Sequence, residues 1–169
     1  LIRNSGGIEI KMFNNEAPTR RYNENTSVQI GHGASHMRTT QQLVNMKGDI
    51  TVRAMNGGDI SLIAGNGRDS PFAQIGHGGE GSGNKDTSDY LWGDITVDAG
   101  GDLLIEGGGR LPQMGTSDGV AIIVDGTTYA HAMIGHGGYD ADTVFKTGDI
   151  NVTVGGDLTM TSGAYGQSF

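Results

Sequence analysis

The chain has 169 residues, enough for one ordinary domain, and 31 of them are glycine, where average usage would supply about 12. A net charge of −8 and a pI near 4.9 exclude the basic face that nucleic-acid binding needs and give no pull toward anionic membranes. The absence of cysteine excludes disulfides, thiolate zinc sites and cysteine nucleophiles, and no apolar run approaches the ~20 residues of a membrane-spanning helix.

Three short phrases recur along the chain in fixed order. It opens, with no signal peptide, on "GGIEIKM" at 6–12 and reads as a mature product or an excised piece. "VQIGHG" follows at 28–33, then a stretch of 14 residues, 34–47, before "GDITV" at 48–52. "GGDISLI" occupies 57–63 and "FAQIGHGG" 72–79. The second round repeats the order, with a loop at 79–92, "GDITV" at 93–97 and "GGDLLIE" at 100–106. A long insertion, about 107–131, carries "VAIIVDGTTYAHA". Its two β-rich runs around Asp125-Gly126 predict a hairpin over 120–129 turning at that dipeptide. The third round is "AMIGHGG" at 132–138, a loop at 138–147, "GDINV" at 148–152 and "GGDLTMT" at 155–161.

The cores of the phrases are constant and the joins vary. His32 and His77 are 45 residues apart, and His77 and His136 are 59 apart. From Gly93 to Gly100 and from Gly148 to Gly155 is 7 residues, whereas Gly48 to Gly57 is 9, with Met55-Asn56 as the insertion. Constant cores with variable joins indicate a repeat architecture with loops inserted at set corners. Within each phrase apolar residues alternate, as Ile95 with Val97 and Leu103 with Ile105, which predicts short half-buried strands. Glycine supplies the corners and lets stacked backbones approach closely. A unit of three such strands cannot bury its own inner face, so the expectation is an all-β parallel solenoid over 1–169, with approximate repeats 1–47, 48–92, 93–147 and a partial 148–169. Phe169 matches Phe72, so the next residues would be expected to read A-x-I-G-H-G. Roughly three coils expose unpaired strand edges, which implies a longer repeat chain or copies stacked end to end.

Stacked coils bring like residues into columns. His32, His77 and His136 form one, and a structural ladder of neutral imidazoles fits it better than zinc, whose ligands must converge on one point. Asp49, Asp94 and Asp149 form a second column, and Asp59, Asp102 and Asp157 a third. Aspartate at a strand start accepts backbone N–H bonds and closes a turn; calcium held between coils is the alternative. "GGEGSGNKD" at 78–86 has glycine where a calcium nonapeptide has aspartate, and occurs once. No nucleophile elbow, zinc-protease motif or phosphate loop is present, so no catalytic residue and no metal ligand is assigned. Two glycosylation sequons begin at Asn25 and Asn151. Tyr90, Trp92 and Tyr129 are the residues expected to contact a ligand from protruding loops.

The pattern "GDITVDAGGDLLIEGGG" at 93–109, with its counterparts at 48–65 and 148–163, resembles the repeats of filamentous-haemagglutinin-type exoproteins of two-partner or autotransporter systems. The resemblance implies a right-handed, three-faced parallel β-helix, export to the bacterial cell surface, and a role in adhesion or extracellular matrix. The I-G-H-G phrase is a departure from that pattern. The expected function is therefore a structural, non-enzymatic extracellular solenoid forming a fibre, stalk or scaffold. The alternative is an adhesin module that binds carbohydrate or a partner surface through its corner loops, and a carbohydrate-active β-helix enzyme is the third reading.

Overall fold

The computed structural model describes residues 1–11, 26–33, 45–65, 71–82, 90–109, 113–117, 120–124, 130–141 and 145–163, with 113–117 and 120–124 described as backbone. Every element among them is a strand. In chain order these are β1 (Ile2–Asn4), β2 (Ile8–Lys11), β3 (Val28–Ile30), β4 (Asn45–Lys47), β5 (Ile50–Ala54), β6 (Ile60–Ile63), β7 (Ala73–Ile75) and β8 (Tyr90–Trp92). They continue with β9 (Ile95–Ala99), β10 (Leu103–Glu106), β11 (Gln113–Ser117), β12 (Val120–Val124), β13 (Ala132–Ile134), β14 (Phe145–Thr147), β15 (Ile150–Val154) and β16 (Leu158–Thr161).

Four parallel sheets run through the described residues, and each gathers one strand from three or four successive coils. Sheet A is β1-β5-β9-β15, sheet B is β2-β6-β10-β16, sheet C is β3-β7-β13, and sheet D is β4-β8-β14. Each pair is parallel and in register with its repeat phrase: Ile50 lies against Ile95 and Ile95 against Ile150; Leu62 lies against Ile105 and Ile105 against Met160; Ile30 lies against Ile75 and Ile75 against Ile134. The fold is a β-solenoid of stacked parallel strands.

Sheet D is a departure from the three strands per coil read from the sequence. The last three residues of the stretches 34–47, 79–92 and 138–147, taken there as loop, are strands. Their sequences, Asn-Met-Lys, Tyr-Leu-Trp and Phe-Lys-Thr, share no residue at any position, so nothing repeats to reveal them. What they share is placement: Met46 and Leu91 point inward and are buried, while their neighbours on the strand point out. The long insertion holds an antiparallel pair that the sequence does not predict. Strand β12 pairs antiparallel with β11, upstream of it, with Ser117 opposite Val120. Asp125-Gly126, where the sequence predicts the turn, lies outside the described residues. The extra Met55-Asn56 pair sits between strands that otherwise keep register, Ala54 opposite Ala99 and Ile60 opposite Leu103. Asn56 takes a left-handed φ of 56°, a conformation asparagine tolerates better than most residues.

The core is one column of apolar rungs. In the middle coils Ile95 and Leu103 are 0% exposed, whereas Ile150 and Leu158, at the same positions in the last described coil, are 50% and 53% exposed. Each rung therefore owes its burial to a coil on both sides. Enclosing a side chain of that size contributes about 1.5–3 kcal/mol, and its removal from an enclosed site adds the cost of the cavity. Leu103→Ala is expected to destabilise the fold by about 2–5 kcal/mol, and Leu158→Ala by less than half as much. Urea denaturation of the two variants checks the ordering.

Candidate functional site

The Gly-His-Gly turns follow sheet C, and their histidines stand one above another. The rings of His32 and His77 stack with centroids 4.9 Å apart and planes 5° from parallel; those of His77 and His136 are 5.0 Å apart at 7°. Each ring also bonds to the coil beneath it. The His32 N–H donates to Nδ1 of His77 at 3.0 Å, and the His77 N–H donates to Nδ1 of His136 at 3.1 Å. On the other side, Nε2 of His77 is 2.8 Å from the carbonyl of Gly48, and Nε2 of His136 is 2.9 Å from that of Gly93. Both carbonyls lie at the corner between sheets D and A. The turn needs glycine. Gly31 and Gly76 have φ of 148° and 159°, and a Cβ on Gly76 would run into the carbonyl oxygen of Gly135 in the coil above.

A glutamine column, absent from the sequence reading, supports these turns. Gln29 Nε2 donates to the carbonyls of Gly76 at 2.8 Å and Gly78 at 3.0 Å. Gln74 Nε2 donates to those of Gly135 at 2.9 Å and Gly137 at 3.0 Å. Each glutamine thus ties down two carbonyls of the turn above it. The third position of the column is Met133, which breaks the repetition in the sequence. The signal that remained was Gln at the same place in two phrases, "VQIGHG" and "AQIGHG".

The aspartates bond in the opposite direction. Oδ1 of Asp49 accepts the N–H of Asp94 at 3.0 Å, and Oδ1 of Asp94 accepts that of Asp149 at 3.0 Å. In the other column Oδ1 of Asp59 accepts the N–H of Asp102 at 2.8 Å, and Oδ1 of Asp102 that of Asp157 at 2.9 Å. The donor is the amide one coil up, not a neighbour in the same turn. This also explains the paired glycines of G-G-D. A Cβ on Gly101 would strike Oδ1 of Asp59, and one on Gly156 would strike Oδ1 of Asp102. The columns are solvent-exposed, so water screens the like charges while each carboxylate gains a charge-assisted hydrogen bond.

Tyr90 and Trp92 lie on strand β8, not on a protruding loop, with 40% and 46% of their surface exposed. A short parallel pairing with β4 and β14 fixes them outside sheet D. Tyr129 lies outside the described residues. Phe145, which the sequence reading left in a loop, stacks on Tyr90 with centroids 4.8 Å apart and planes 9° from parallel. Lys47 places its Nζ 5.9 Å from the centre of the Trp92 ring. Stacked rings present edges to solvent and cover one another's faces, which is a poor platform for a sugar, since a sugar stacks on an open face.

The chemistry open to these groups is narrow. Both nitrogens of His77 and of His136 already face a hydrogen-bond partner, and the parallel rings aim their lone pairs side by side, where metal ligands must converge. Among the described residues no three His, Cys, Asp or Glu side chains are placed to hold a metal ion. Comparison of the chain with protein-family models, with curated proteins and with solved structures returns no match.

Two outcomes follow for the aspartate columns. Chelation with EDTA is expected to leave the thermal midpoint within about 1 °C, because an amide already occupies Oδ1 of each lower rung; a drop of several degrees in calorimetry would show a structural cation. Gly101→Ala is expected to destabilise by about 1–3 kcal/mol through overpacking, and a second change, Asp59→Gly, to recover part of that loss by clearing the space.

Proposed function

We propose that the chain is a segment of an extracellular structural β-solenoid, a fibre, stalk or surface scaffold with no enzymatic activity. The observation that carries this reading is the use made of the repeated polar side chains. In the middle coils the histidine rings, the aspartate carboxylates and the glutamine amides all bond to a neighbouring coil. A catalytic site needs groups free to meet a substrate, and these are engaged in holding coil to coil. The resemblance of the G-D-I and G-G-D phrases to filamentous-haemagglutinin-type repeats supports export and a surface location. Right-handed winding accords with the strong preference of parallel crossover connections for that hand. A three-sided section follows if sheets D and A, joined by two residues such as Gly48-Asp49, act as one bent side.

What lies against the last coil is, on this reading, a further coil of like sequence, covalently joined or contributed by another copy. Half-exposed Ile150 and Leu158, beside strand edges whose hydrogen bonds point along the stack, suit such a partner. One observation favours the alternative of an adhesin module. The longest stretches between strands of the four parallel sheets, 12–27, 64–72, 107–131, 31–44, 76–89 and 135–144, all run in sequence to or from a strand of sheet C. Negative-stain microscopy of the 169-residue chain at high concentration separates the readings. The scaffold predicts thin rods or fibres with solenoid spacing along their length. A dispersed monomer that captures defined glycans on an array, and loses them when 83–89 is replaced by a glycine-serine linker, would favour the adhesin.

A further inference from the structure

The hydrogen bonds of His77 and His136 have fixed directions. A backbone N–H can only donate, so Nδ1 of His77, 3.0 Å from the His32 nitrogen, carries no proton. A carbonyl can only accept, so Nε2, 2.8 Å from the Gly48 oxygen, carries it. His136 repeats the arrangement with the His77 N–H and the Gly93 carbonyl. One neutral tautomer is thereby imposed on both rungs. A proton added at Nδ1 would set two N–H groups against each other across the joint between two coils.

We infer that this column is a proton-operated joint: neutral imidazoles hold the Gly-His-Gly corners of successive coils together, and acid opens them. His77 is 1% exposed, so no movement of the ring into water relieves the clash. Among the described residues, the titratable groups stacked on its ring are His32 below and His136 above, both of its own sign when charged. The corner between sheets D and A sets the uncharged carbonyl of Gly48 on Nε2, and Asp49, next along the chain, turns its carboxylate to the Asp94 N–H. Lys146 lies along Gly137, next to the upper ring, and Glu80 follows His77 by three residues. Burial holds His77 below its ordinary value of 6.5, against the pull of the Gly48 carbonyl, and the two neighbouring imidazoles add to the lowering.

The sign of the effect follows from linkage. Below pH 6.5 the unfolded chain takes up a proton at His77 that the folded chain resists. The joint's full contribution is therefore present above that pH and is lost progressively as pH falls toward the folded-state value. Each pH unit over which His77 stays neutral in the folded chain lowers the folding equilibrium constant by up to about tenfold. Carboxyl side chains ordinarily titrate around pH 4, so the range from pH 8 to pH 5 belongs to the imidazoles. The joint would act in the same way whether the solenoid serves as a scaffold or as an adhesin.

The test is urea unfolding of the whole chain at steps from pH 8 to pH 5, for the wild type and for His77→Asn. The asparagine oxygen can accept the His32 N–H and does not titrate. The wild-type equilibrium constant is expected to fall further across this range than that of the variant, by a margin that reaches about thirtyfold at pH 5 where the ring stays neutral throughout; equal falls would overturn the inference. Should His77→Asn not fold, imidazole nitrogen shifts of the wild type decide. An unprotonated Nδ1 on His77 at pH 8, with exchange protection of the His32 amide lost as the ring takes up its proton, supports the joint. A protonated Nδ1 at pH 8, or a His32 amide that stays protected through ring protonation, overturns it.

Discussion

Parallel strands hydrogen-bonded from coil to coil sit about 4.8 Å apart, and that distance governs what each position can hold. Every side chain lies directly over its counterpart in the coil below. An apolar residue gains from this, because its copies shield it on both sides, as Ile95 is shielded between Ile50 and Ile150. A polar residue inside such a stack meets another of its own kind and must find a way to bond that its copies can share. The repeated phrases are the solutions this chain uses.

Those solutions have a direction. Histidine receives an N–H from the coil below, aspartate receives one from the coil above, and glutamine gives its amide hydrogens to carbonyls above. Aromatic rings meet the same constraint by stacking: Tyr90 under Phe145, and Phe72 against His131 at 5.0 Å with planes 5° from parallel. Glycine is abundant because much of the space beside these joints is already occupied by the neighbouring coil. At Gly76 the occupant is a carbonyl oxygen and at Gly101 it is an aspartate side chain. The stack is therefore polar along its axis, with different hydrogen-bonding groups on its two ends, and a further coil would have to be added in the same sense.

Much of this was legible because identity repeats. The I-G-H-G, G-D-I and G-G-D phrases mark sheets C, A and B, and their inner Ile, Val and Leu fall on the buried faces. What lacked repetition was missed. Sheet D is set by placement between a variable loop and a Gly-Asp corner, and its residues Met46, Leu91 and Lys146 share no chemistry. The glutamine clamp was hidden by Met133 in the third coil, and the Tyr90–Phe145 stack by the reading of Phe145 as loop. The β11–β12 pairing was hidden for a different reason. Two Asp-Gly dipeptides flank the strand Val120–Val124, and local turn chemistry cannot choose between them. The described pairing is with Gln113–Ser117, a segment without a strong strand pattern. The direction of the aspartate bonds was equally out of reach, since the donor lies 45 or more residues away in sequence for Asp49 and Asp94.

The central claim is that polar side chains of the repeat bind the next coil rather than a ligand. It is tested most directly by through-hydrogen-bond nitrogen–nitrogen coupling in the labelled protein at neutral pH. The structure predicts coupling between the His32 amide and Nδ1 of His77, and between the His77 amide and Nδ1 of His136. Absence of both couplings in the folded chain, with the rings free to titrate independently or bound to a metal, would contradict it.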